Sequence, residues 1–172
     1  MNFKHYPQFF TATCLNWKLL LQNDAYKDII LCSLKFIAED KRAVIYSFVI
    51  MPNHIHLIWQ INDAYEIAQV QQSFLKYTAQ QIKFDLQKNT PKLLEAFRVD
   101  AKDRQYQFWE RNALSVDLFT GTVFKQKVDY IHNNPIQEKW KLALLPEDYK
   151  YSSARFYETG VNDFSFLTHY DE

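Results

Sequence analysis

This sequence predicts an α+β fold, and three observations carry the prediction. Residues 43–50 are a run of strand formers followed almost at once by residues 54–61, where apolar and other side chains alternate. A helical apolar stripe lies on either side of that pair, and strand-like runs open the chain at residues 8–15 and recur at 106–113. Strand–helix–strand–strand–helix–strand is the ferredoxin-like βαββαβ order, a four-stranded sheet with both helices on one face. The opposite face is then available to a ligand, to one additional helix and to a C-terminal extension.

The elements follow in chain order. Gln-Phe-Phe-Thr-Ala-Thr-Cys-Leu at residues 8–15 is the first strand. Asn23 or Asp24 caps a helix whose stripe is Tyr26, Ile29, Ile30, Leu34 and Ile37. Met51-Pro-Asn53 is a tight connection between the second and third strands, which form a hairpin. Asp63 is placed to cap a helix over residues 65–86, with Ile67, Val70, Phe74, Tyr77 and Ile82 as buried candidates. Residues 87–104 are polar and carry Pro91, so they read as a loop or a short helix, and residues 106–113 as the fourth strand. Thr120 or Thr122 starts a third long helix that stops near Asn134, because Pro135 follows. The aromatic tail, with Tyr149, Tyr151, Phe156 and Tyr157, packs back on the body.

Composition excludes several classes. With only two glycines in 172 residues, a phosphate-cradling P-loop and a dinucleotide-binding glycine turn are both impossible. Cys14 and Cys32 are too few for a disulfide scaffold or a four-cysteine zinc site. No apolar run approaches the ~18 residues of a membrane span, and the first ten residues lack a secretory layout. A cytoplasmic protein without membrane partners is the expectation. One domain over residues 1–172 is expected, with a core at about 5–140 and the extension at about 141–172, since no linker or repeat divides the chain. Lys+Arg 20 balances Asp+Glu 20, so any anion site is local.

Two local patterns carry chemistry. In His-Ile-His-Leu-Ile-Trp-Gln-Ile, strand alternation puts Ile55, Leu57, Trp59 and Ile61 on the core face. His54 and His56 then stand side by side on the other face, close enough to share one metal ion. The alternative is a pair of hydrogen-bonded histidines with no ligand. On the third long helix, Phe124, Val128 and Ile131 form the apolar stripe. Lys127, Tyr130 and Asn134 lie on the polar side, and Asn134 is one turn beyond Tyr130. A carboxamide oxygen suits Mg²⁺ or Mn²⁺. Tyrosine, carboxamide and histidine pair together would make a metal site with an oxygen nucleophile and room for a phosphate. His132, about 200° around the helix from Tyr130, reads as structural. Asp129 and Glu110 are open as assisting groups, and Gly121 reads as a turn. His5 and His169 are expected at the surface.

Two segments, Val49-Ile-Met-Pro-Asn-His-Ile-His-Leu-Ile-Trp59 and Lys127-Val-Asp-Tyr-Ile-His-Asn-Asn-Pro-Ile136, resemble the single-tyrosine HUH transposases, in particular the REP-associated tyrosine transposase branch. Phe108-Trp-Glu110 and Tyr151-Ser-Ser-Ala154 are similar to that branch too, and the resemblance covers residues 5 to 160, roughly. It implies a ferredoxin-like core whose histidine pair, His54 and His56, binds a divalent metal with Asn134 as third ligand. It also implies that Tyr130 is the nucleophile that cuts and rejoins single-stranded DNA near hairpins through a 5′-phosphotyrosine. A phenol, with an ordinary pKa of ~10, needs help to ionise at neutrality, which the metal and Lys127, about one turn before it, can supply. Relatives act as monomers or homodimers. Tyr46, Phe48, Tyr106 and Phe108 are candidates for stacking unpaired bases, with core packing the simpler role. Two other readings stay open: a non-catalytic single-strand-binding module derived from such an enzyme, and a metal phosphodiesterase that uses water.

Overall fold

The computed structural model describes residues 4–172. Strands β1 (Gln8–Thr13), β2 (Ala43–Ile50), β3 (His54–Ile61) and β4 (Leu114–Asp117) form one antiparallel sheet in the order β2-β3-β1-β4. Helix α1 (Asp24–Glu39) joins β1 to β2, and α2 (Ile67–Asn89) with the short α3 (Pro91–Glu95) leads from β3 to β4. The order is the ferredoxin-like one. Helices α4 (Gly121–Asn133) and α5 (Ala154–Thr159) follow.

The sheet is buried on two sides. Ile55, Leu57, Trp59 and Ile61 of β3 join Phe10 and Ala12 of β1 beneath Tyr26, Ile30 and Leu34 of α1 and Val70, Phe74 and Ile82 of α2. On the opposite face, Phe9, Val49, Met51, Ile58 and Leu118 meet Phe124, Val128 and Ile131 of α4. All of β3 is therefore buried, including its two histidines.

The ends of α1 and α4 follow local capping rules. Asn23 Oδ1 accepts from the Ala25 N–H, and Thr120 Oγ1 accepts from the Val123 N–H. The start of α2 does not. It begins at Ile67, and the Asp63 carboxylate is engaged by the backbone N–H groups of Lys4 and His5, at 2.8, 2.7 and 3.2 Å. A distant partner thus takes the group that local pattern offered as a cap. Tyr77 is also exposed, contrary to expectation. Thr78 is buried in its place, its hydroxyl donating to Phe74 O and accepting from Trp109 Nε1.

The fourth strand is not at residues 106–113. That segment touches the sheet only through a Cys14–Trp109 bridge, while Phe108 and Trp109 bury into the core. The ladder resumes with Thr11 opposite Leu114, so three steps along β1 face five on the other chain. Asn112, at φ 59°, sits in that bulge. Strand propensity was real, but it served core packing. The true β4 is exposed along its whole length and shows no burial alternation.

The tail covers the outer edge of β2. Ile50 N–H donates to Tyr151 O, Ser153 N–H to Phe48 O and Thr168 N–H to Ile45 O. Tyr149 Oη donates to Ile50 O and Tyr157 Oη to Tyr46 O, both at 2.8 Å. A bare strand edge invites unwanted pairing, and this one is closed.

Candidate functional site

β3 is an inner strand, so its two histidines sit between β1 and β2 under α4. The rings of His54 and His56 are 4.7 Å apart, centroid to centroid, and the residues are 7% and 6% exposed. Each Nδ1 is tied to a protein oxygen. His54 Nδ1 lies 2.7 Å from Asn53 Oδ1, and His56 Nδ1 lies 2.7 Å from Thr11 Oγ1. Thr11 reaches His56 because the β1–β3 register sets them directly opposite each other. These bonds hold both rings in orientation and leave Nε2 as the nitrogen available for coordination.

α4 delivers the other half of the site. The Tyr130 ring lies 5.3 Å from the His56 ring and 6.0 Å from Phe9, which itself stacks on His56 at 5.2 Å. One turn on, just past the helix end, the buried Asn134 side chain lies beside the His54 ring and favours its protonated form. Trp140 closes the His54 side at 5.9 Å. Lys127 sets its Nζ 4.6 Å above the Phe9 ring and 5.5 Å from the Tyr130 ring. Tyr130 keeps 45% of its surface exposed, so this edge of the site opens to solvent.

Burial keeps both imidazoles neutral. It pushes His54 down to about 4, with Asn134 partly opposing and Lys139 assisting. It pushes His56 down to about 3, aided by His54, Lys127 and Lys139. His132 is a third buried ring, held at about 4 by burial alone; its Nε2 bonds Ser153 Oγ at 2.8 Å and Ser47 Oγ at 3.2 Å. It faces away from Tyr130 and ties α4 to β2 and the tail.

These three rings make a prediction. In the unfolded chain each titrates near ~6.5, so below that pH the unfolded state binds more protons than the folded one. Stability is complete above about pH 6.5 and falls as the pH drops towards 4, by at most ~1.4 kcal/mol per unit for each ring. Urea midpoints of the metal-free protein should fall steadily from pH 7 to 5. A midpoint unchanged over that range would mean the rings are not buried as described.

The structure brings His54, His56, Tyr130, Asn134 and Lys127 together. Glu110 accepts from the Asn16 N–H at 2.6 Å, Asp129 is solvent-exposed, and Phe48 and Phe108 are core residues. Gly121 is the first residue of α4. His5 and His169 are half-buried, the latter because it packs on Tyr157 and Tyr170. Thr11, Asn53, Phe9 and Trp140 belong to the site and were missed from sequence. Asn53, adjacent to His54, was the one with a local signal; the others depend on register or on the chain's return. Among the described residues no three His, Cys, Asp or Glu side chains form a metal cluster. The polar side chain beside the pair is the Asn134 amide.

A ferredoxin-like sheet carrying a His-x-His pair, faced by a tyrosine and an asparagine one turn apart, defines a site in which a half-exposed phenol stands beside two neutral imidazoles. The chain belongs to the IS200-like transposase family, which matches residues 10–134. That stretch contains every residue of the site except Phe9, Lys139 and Trp140. Among solved structures, the chain is similar to a REP-associated tyrosine transposase bound to a REP hairpin, with a TM-score of 0.67 and 18% identity over 98% of this chain and 94% of that one. A transposase-like protein of Deinococcus radiodurans aligns over 77% of this chain and 94% of its own, at 13% identity and a TM-score of 0.49. No curated protein matches the sequence. No helix among the described residues is long and apolar enough to cross a membrane.

Proposed function

We propose that this protein cuts and rejoins single-stranded DNA at hairpin-bearing sites, with Tyr130 as nucleophile and a divalent metal, Mg²⁺ or Mn²⁺, held by His54, His56 and Asn134. The observation that carries this reading is the pairing of Tyr130 of α4 and Asn134 at its C-terminal cap, one turn apart, with the two histidines, Tyr130 beside His56 and Asn134 beside His54. Family membership supports the DNA-processing role. The REP-hairpin complex of the similar fold supports hairpin DNA as the partner.

The residues fit a metal. Both imidazoles are neutral, both Nδ1 atoms are engaged elsewhere, and a carboxamide completes a donor set of nitrogen and oxygen. A divalent cation in that position supplies the positive charge that a phosphodiester needs as charge builds on its oxygens. The protein does the rest. His56 and Phe9 flank the Tyr130 ring and limit its tilt, and the Lys127 ammonium stands beside the same ring, a cation at the edge where a phosphate would enter. The Tyr130 Oη–phosphorus bond forms as the bond from phosphorus to the 3′-oxygen breaks. The phenol proton leaves to water, and the released 3′-oxygen takes one up. The phosphotyrosine conserves the energy of the broken bond, so a 3′-hydroxyl reverses the step without a nucleotide cofactor.

The test is covalent trapping. Protein mixed with a pool of end-labelled hairpin-bearing single strands and Mn²⁺ should give a shifted band on a denaturing gel, absent with chelator and in His56→Ala. Cleavage products with no protein-linked label in any arm would instead indicate water as nucleophile. A second expectation concerns Thr11. Thr11→Ala frees the His56 ring and should weaken Mn²⁺ binding by calorimetry about 10–100-fold. Unaltered affinity would remove Thr11 from the site.

A further inference from the structure

The site's sheet face is covered unevenly. α4 packs on β2, β3 and Phe9 of β1, and the edge strand β4 lies beside it. Register shows which β4 side chains share the histidine face: Val116 is opposite Phe9, and Leu114 is opposite Thr11. Ser115 points the other way, accepting from Gln71 of α2. Leu114 and Val116 are 53% and 43% exposed, so an apolar strip lies next to Phe9, the residue on which Tyr130 packs. At its far end Tyr6 and Phe119, 51% and 68% exposed, meet edge to face at 4.9 Å. They stand at a cavity of about 440 Å³ that Tyr46, Phe124, Lys125 and Tyr170 also line. Gly121, at this cavity, precedes Tyr130 by nine residues of α4, or about 13 Å of helix, a span that a few nucleotides of unpaired strand cover.

Net charge decides what this strip is for. A protein with zero formal charge cannot draw its affinity for a single strand from a broad positive field, so contacts with base faces must carry more of it. The strip offers such contacts beside Phe9, and Lys125 and Lys127 of α4 give a local pair of cations for the backbone. We infer that the unpaired nucleotides beside the bond cut by Tyr130 lie along the exposed face of β4, with one base stacked on Phe119 and Tyr6 at the cavity mouth. This inference rests on the proposed function and extends it to the residues that bind the flanking strand.

The experiment uses the full chain and a DNA hairpin with oligothymidylate arms, each thymine replaced in turn by 5-iodouracil. Irradiation should cross-link an arm position near the hairpin to Phe119 or Tyr6, identified by mass spectrometry. By fluorescence anisotropy, the double variant Phe119→Ala/Tyr6→Ala, altered only at exposed side chains, should bind the same hairpin on the order of tenfold more weakly with an unchanged circular-dichroism spectrum. Cross-links confined to Phe36 and Tyr77, on the other side of the sheet, would overturn the inference, as would unchanged binding by the double variant. So would a solution mass of two chains that falls to one in that variant, which would assign the strip to self-association. A Tyr130 adduct without a Phe119 or Tyr6 cross-link overturns the inference alone. A cross-link without an adduct overturns the tyrosine chemistry alone, and neither signal overturns both.

Discussion

Tyr130→Phe is expected to abolish covalent capture of DNA while leaving the fold unchanged. The substitution removes one oxygen from a residue that is 45% exposed and keeps the ring that meets Phe9 and His56. Packing is therefore preserved, and so are the imidazoles that would hold the metal. Among the described residues no other hydroxyl is set against His56 in the same manner: Thr11 Oγ1 is already engaged by its Nδ1. Without the phenol no protein–DNA bond forms, and strand cleavage should fall by at least ~10³-fold, the scale seen when an enzyme loses its nucleophile. The measurement is label retained on the denatured protein, with Mn²⁺ affinity of the variant as control. Undiminished cleavage in this variant, with no adduct in the parent, would assign the reaction to water and end the transposase mechanism proposed here.

Trp59→Ala is expected to be the most destabilising single change on β3. Trp59 is fully buried on the face away from the histidines, with its ring 5.1 Å from Phe10 and 5.7 Å from Phe74. Truncation leaves a cavity between sheet and helices at a cost of about 3–5 kcal/mol. Domains of this size are stable by only ~5–15 kcal/mol, so a large share of the total would be lost. The indole Nε1 makes no hydrogen bond among the described residues, so the ring contributes through packing and not through its polar atom. Trp59→Phe should accordingly cost less than about 2 kcal/mol. Urea unfolding of the three proteins decides it; equal midpoints for Ala and Trp would place the core elsewhere. The pair of variants also separates fold from chemistry, since Trp59 and His56 share a strand but face opposite layers.

What could be read in advance was what is local. β2 and β3 were expected at residues 43–50 and 54–61, and these are the strands observed. Period-two alternation assigned the faces of β3 correctly, because a strand packed between two layers has no freedom to rotate. α4 was expected to begin at Thr120 or Thr122 and to stop before Pro135 for equally local reasons, a hydroxyl cap at one end and a missing N–H at the other, and Thr120 is the cap. The placement of Tyr130 and Asn134 one turn apart followed from helical spacing, and the structure sets both against the histidine pair.

The failures have a different origin. Residues 106–113 carry every mark of a strand, yet aromatic burial beneath α2 and the bulge at Asn112 move the fourth strand to Leu114–Asp117. Asp63 looks like a helix cap and instead binds backbone more than fifty residues away.

The sequence by itself determined the elements, the face of each that turns inward, and the residue types available for chemistry, because those depend on neighbours within one turn or one pleat. Only the tertiary structure decided that Thr11 orients His56 from 45 residues away, that Ser47 and Ser153 hold His132, and that an exposed β4 lies on the histidine face beside Phe9. The physical reason is register: the pairing of distant strands chooses which side chains meet, and no local periodicity records that choice.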